Sequence, residues 1–105
     1  MAIINDFYDL NAWKYAHQFV VKIYKNLSSI PKEEKFGIID QLRRASSSIS
    51  ANIAEGFGRF HKKDKIHFYY QARGSLKEVQ NFLLLSRDLK YIEKEMTDIE
   101  GGFYS

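Results

Sequence analysis

The 105 residues are 45% apolar and 15% aromatic, with six glycines and one proline, which excludes a disordered or collagen-like chain and counts against an all-β fold needing a turn about every ten residues. No cysteine is present, so a disulfide framework and a thiolate metal site are excluded and the composition suits a reducing cytoplasm. The net charge of +3 is too small to imply nucleic acid by itself, but residues 59–92 hold 8 basic and 3 acidic side chains whereas residues 93–105 hold 1 and 4, so the basic excess lies in one stretch.

A chain of this length has room for one core, so residues 1–105 are expected to form one helical domain. The first seven residues lack the basic start and long apolar core of a signal peptide, and no apolar run approaches the ~20 residues of a membrane span. A cytoplasmic protein is expected.

Asp6 or Asp9 is placed to cap a first helix. Its apolar positions from Leu10 onward are Trp13, Ala16, Val20, Ile23, Tyr24 and Leu27, and Pro31 bars its continuation. Lys32, Glu33 and Glu34 open a second helix that runs to about Phe57, acidic residues in a first turn being favoured by the helix dipole. Gly37 marks a slow start or a close approach, and Gly56 and Gly58 mark the end.

Within the second helix Leu42, Ala45, Ile49, Ile53 and Phe57 recur at spacings of three and four and form one buried stripe. Arg44, Ser48, Asn52, Glu55 and Arg59 form a polar row beside it. Ser46, Ser47, Ser48 and Ser50 read as a thin surface that lets a neighbouring helix come close, since no base is spaced to activate a serine.

A short basic connection, FHKKDK (60–65), leads to a third helix over about 65–90, with Asp64 as a candidate cap. Its main stripe is Phe68, Ala72, Leu76, Val79 and Leu83, while Tyr69, Tyr70, Phe82, Leu84 and Leu85 lie outside it. A helix apolar over more than one face needs cover on several sides, which points to subunit contact. Residues 93–100, with Met96 and Ile99, read as a short fourth helix broken by Gly101 and Gly102. Short connections make the helices antiparallel neighbours, so the expected architecture is an all-α, antiparallel, up-and-down four-helix bundle with a short fourth helix.

The stretches QLRRASSSISANIAEGFGR (41–59) and FYYQARGSLKEVQ (68–80), with LNAWKYAHQFVVKIY (10–24) and PKEEKFGIIDQLRRA (31–45) upstream, resemble the bacterial four-helix bundle family of proteins encoded in intervening sequences of 23S ribosomal RNA genes. The resemblance spans about residues 7–92 and is most specific at 41–45, 52–56 and 74–76. It implies a homopentamer without an established biochemical activity, related to the basic accessory protein of diversity-generating retroelements, which partners a reverse transcriptase. The chain departs from the family pattern at Gly101 and Gly102, where a full-length fourth helix is usual.

Two readings of the charged groups follow. In one, Arg59, Lys62, Lys63 and Lys65, flanked by Phe60, His61 and His67 and continued by Arg73 and Lys77, form a nucleic-acid-binding belt for structured RNA or DNA. Five copies in a ring would repeat it. In the other, these cations are a solvated helix start, and the protein is a structural oligomer presenting a surface to a protein partner such as a reverse transcriptase. Arg43 and Arg44 lie ~100° apart, so one of them faces solvent or nucleic acid, while Arg44, Asn52 and Glu55 read as a structural ion-pair and hydrogen-bond network. No catalytic, cofactor or metal site is expected, because His17 stands alone, His61 and His67 do not share a helical face, and Gly74-Ser75 sits where small size favours close packing rather than phosphate cradling.

Overall fold

The computed structural model describes residues 3–93. Within them the chain forms three α-helices, α1 Asn11–Asn26, α2 Ile38–Gly58 and α3 Lys62–Asp88, with short 3-10 turns at Phe7–Asp9, Leu27–Ser29 and Lys32–Glu34. The predicted fourth helix over 93–100 lies outside the described residues except for Glu93.

Helix α2 is the central element, with α1 packed along one side and α3 along the other. Arg43 of α2 lies over the Tyr24 ring of α1, whereas Ser48 and Gly56 of α2 meet Ser75 and Tyr69 of α3. Late residues of one helix thus face early residues of the next, which makes both pairs antiparallel. The core consists of Ala16, Phe19 and Ile23 from α1, Ile38, Leu42, Ala45, Ile49 and Ile53 from α2, and Ala72, Leu76, Val79 and Leu83 from α3, with Ile30 from the connection. Because α1 and α3 each pack on α2, an apolar groove of about 390 Å³ stays open between them. Leu10 and Tyr15 form one bank, Tyr69 and Leu76 the other, and Ile49 and Ile53 the floor.

Several boundaries differ from the sequence reading, each for a local reason. Asp6 caps the 3-10 turn Phe7–Asp9 instead of α1: its Oδ1 accepts from the Phe7 N–H at 2.7 Å, and Asp9 Oδ2 accepts from the N–H groups of Asn5 and Asp6. Helix α2 begins at Ile38, because Lys32–Glu34 closes as a 3-10 turn and Gly37, at φ −108° and ψ −112°, breaks the helical path. Glu34 bridges the break by accepting from the Ile38 N–H at 3.4 Å. Helix α3 starts three residues earlier than expected, with extended His61 before it and Asp64 inside the first turn. An acid there favours the dipole but is not the cap.

The C-terminal end of α3 is closed by local bonds. Lys90 takes a left-handed φ of 63°, the Lys90 N–H donates to the Arg87 carbonyl, and the Tyr91 N–H reaches back to the Ser86 carbonyl at 2.8 Å, the pattern that satisfies the last carbonyls of a helix. Tyr91 and Ile92 then fold onto the core, and the Tyr91 hydroxyl donates to Glu34 Oε2 at 3.3 Å. Lost hydration, with the Glu34 carboxylate beside it, holds the Tyr91 phenol above its usual pKa of 10.0.

Candidate nucleic-acid interface

The basic residues read from the sequence fall into three groups. At the first, α2 ends at Gly58 and three residues lead into α3, Arg59 and His61 with extended backbone and Phe60 between them. Lys65 is turned back across this junction. Its Nζ donates to the carbonyls of Phe57 at 2.8 Å and Gly56 at 3.3 Å and lies 5.5 Å from the Phe57 ring. A cation at a helix C-terminus stabilises carbonyls that have no partner of their own. Lys65 is therefore part of the α2 end, and its ammonium is not offered to a ligand as the sequence reading has it.

Arg59 is similarly occupied. One of its guanidinium nitrogens lies 3.0 Å from Glu55 Oε2, and its guanidinium carbon stands 4.6 Å from the centre of the Phe68 ring. Glu55 one turn before Arg59 is the favourable order for such a pair, worth about 0.3–0.5 kcal/mol at an exposed position. Arg59 still borders the connection, but as a held group.

Lys62, Lys63 and Arg73 form the second group. All three are exposed, and their cationic groups make no hydrogen bond or ion pair among the described residues. Lys62 and Arg73 are eleven residues apart, which at 100° per residue returns within ~20° of the same direction, and Lys77 follows ~40° further round. This face runs about 22 Å from Lys62 to Lys77 at 1.5 Å per residue. Between the cations stand Ile66, Tyr69 and Tyr70, each at least 40% exposed. Only Asp64 contributes negative charge in the whole interval 59–77.

The third group does not join this surface. Arg43 lies over Tyr24 on the α1 side of α2, sixteen residues or ~24 Å along the helix from Arg59. Arg44 pairs with Asp40 at 2.9 Å with its side chain 77% exposed. Arg44 and Glu55 thus belong to two separate intrahelical pairs rather than to one network.

Asn52 is structural: its amide donates to the Ser48 carbonyl at 2.8 Å and to the Ser48 hydroxyl at 2.9 Å, while Ser48 Oγ lies 2.8 Å from Ser75 Oγ on α3. Ser46, read as part of a thin surface, is instead fully buried, its hydroxyl satisfied by the Arg43 carbonyl at 3.3 Å. A serine can occupy a core position because a carbonyl three or four residues earlier accepts a hydrogen bond from its hydroxyl. Gly74 departs in the other direction: among the described residues nothing lies within 4 Å of where its Cβ would be, so it makes no close packing with them.

His17 stacks on Trp13 at 4.6 Å, and among the described residues no three His, Asp or Glu side chains gather as a metal site. No helix among the described residues is long and apolar enough to cross a membrane. Phe60, which the sequence reading names as a flank of the basic belt, carries a ring at the α2–α3 junction that is 90% exposed; a phenylalanine in a short connection has no periodicity that would mark how far outward it stands.

The model of the 23S rRNA-intervening sequence protein family matches residues 8–100, and the chain belongs to that family. No curated protein matches the sequence.

Proposed function

We propose that this member of the 23S rRNA-intervening sequence protein family is a non-catalytic cytoplasmic protein that binds structured RNA or DNA through the first half of α3. The observation that carries the reading is the set of exposed, unpaired cations Lys62, Lys63 and Arg73 interleaved with exposed Ile66, Tyr69 and Tyr70. Two lysines in the first turn of a helix oppose its dipole and cost a few tenths of a kcal/mol each. A local rule broken in this way is expected where a surface is used. Cations neutralise phosphates and release counterions, and aromatic rings add stacking that tolerates any base.

A gel-shift titration with a structured RNA and a duplex DNA tests this. Binding is expected at ~50 mM salt, weakening by at least tenfold by ~200 mM, because each neutralised phosphate adds about 0.9 to the slope of log affinity against log salt. No shift at the lower salt ends the proposal.

A second reading, a structural homo-oligomer serving as an accessory scaffold for a protein such as a reverse transcriptase, is favoured by a different observation. Leu84 and Leu85 on α3 and Leu89 just past its end are each more than 40% exposed, and Gly74 leaves an open, side-chain-free patch on the same helix. A second chain would cover both, and a homopentamer is the assembly the family resemblance implies. Each protomer in this proposal is a four-helix bundle with a short fourth helix. Equilibrium sedimentation is expected to give a multiple of the 12.3 kDa chain mass; monomer alone at micromolar concentration removes the oligomer.

A further inference from the structure

We propose that Phe60 is a stacking platform for an unpaired base, so that the α2–α3 junction selects nucleic acid with unpaired nucleotides over continuous duplex. This rests on the nucleic-acid reading above and names the ligand class for it. The Phe60 ring is 90% exposed. Its one aromatic neighbour among the described residues, His61, meets it at 5.2 Å and 88°, so none of their rings lies parallel where a base would stack. Extended backbone at Arg59 and His61 carries the ring clear of both helix ends. Lys62 and Lys63 follow immediately, where they can hold the phosphates on either side of a stacked nucleotide.

A duplex offers that ring little, because its bases are already stacked on one another. An unpaired base has a free face, and every base has one, so the contact is sequence-tolerant. Phe36 supplies an internal comparison. It is 87% exposed beside Lys35, but it precedes α2 whereas Phe60 follows it, and the 21-residue helix between them is about 30 Å long.

The test measures affinity of the full chain for a 20-nucleotide oligo-dT carrying one 2-aminopurine, and for a blunt duplex of equal length, at fixed salt. Phe60→Ala is expected to weaken single-strand binding about tenfold and abolish the quenching of 2-aminopurine fluorescence, while duplex affinity stays within about twofold. Phe60→Trp should retain quenching, and Phe36→Ala should change neither affinity. Equal losses on both ligands, or none on the single strand, overturn the stacking role while leaving the basic surface in place. A change in sedimentation of Phe60→Ala assigns the ring to a subunit contact and overturns it as well. Absence of wild-type binding to either probe removes the nucleic-acid reading itself, and this inference with it.

Discussion

Gly56→Leu is expected to lower the unfolding free energy by about 3 kcal/mol, and Gly56→Ala by about 1 kcal/mol, whereas Gly74→Ala raises it by about 1 kcal/mol. Opposite signs for two Gly→Ala changes, one in the last turn of α2 and one inside α3, follow from what each new methyl meets. At Gly56 a Cβ would stand 2.6 Å from Tyr69 Cε1, 3.0 Å from Tyr69 Cδ1 and 3.2 Å from Phe68 Cβ. The half-exposed Tyr69 ring can swing aside, but Phe68 Cβ is fixed to the α3 backbone and cannot yield without separating the helices. Overpacking of this kind costs typically 1–3 kcal/mol, and alanine recovers part of it through its better helix propensity.

Leucine at position 56 adds three more carbons to the same crossing, so its cost sits at the upper end of that range. At Gly74 the methyl meets none of the described residues, and only the propensity gain remains. Urea denaturation followed by far-ultraviolet circular dichroism checks all three. A destabilised Gly74→Ala would show that a second chain approaches α3 there, and its midpoint would then depend on protein concentration. An unchanged Gly56→Ala would mean that α2 and α3 cross less closely at this point than the structure has them.

The three helices were legible because their stripes repeat at helical spacing. Leu42, Ala45, Ile49 and Ile53 on α2, and Ala72, Leu76, Val79 and Leu83 on α3, are all buried as their positions imply. On α1 the same reasoning chose Val20 and Tyr24 and passed over Phe19, which is only 3% exposed. With apolar residues at 19, 20, 21, 23 and 24, periodicity fits two adjacent stripes, and the position of α2 decides between them.

Polar positions were harder still. The burial of Ser46 and the inward turn of Lys65 depend on which carbonyls happen to be in reach. That Arg44 pairs with Asp40 and not Glu55 is a matter of reach as well: four residues apart on a helix meet, eleven do not. For the basic surface, the sequence shows only that the charges are concentrated in one quarter of the chain. Which of them are free is a property of the α2–α3 junction, where Arg59 and Lys65 are engaged and Lys62, Lys63 and Arg73 are not.

That division sets the second large effect. The triple change Lys62→Glu, Lys63→Glu, Arg73→Glu is expected to weaken nucleic-acid binding by about 500-fold or more at ~0.1 M salt, with folding intact. Three lost phosphate contacts remove about 2.7 from the slope of log affinity against log salt, which at ~0.1 M is about 2.7 decades of affinity. Replacing three cations by carboxylates also takes the formal charge of residues 59–77 from +5 to −1, so the surface then repels what it held.

Lys65 is excluded from the set on structural grounds. A carboxylate in its place would face the Gly56 and Phe57 carbonyls that its ammonium now satisfies, and lost binding could not be told from a frayed α2 end. Circular dichroism and sedimentation of the triple variant should match the wild type, since none of the three side chains is buried. Binding that survives the triple change with its salt slope unaltered would show that the phosphates lie elsewhere. Arg43, ~24 Å along α2 from Arg59, would then be the next cation to reverse.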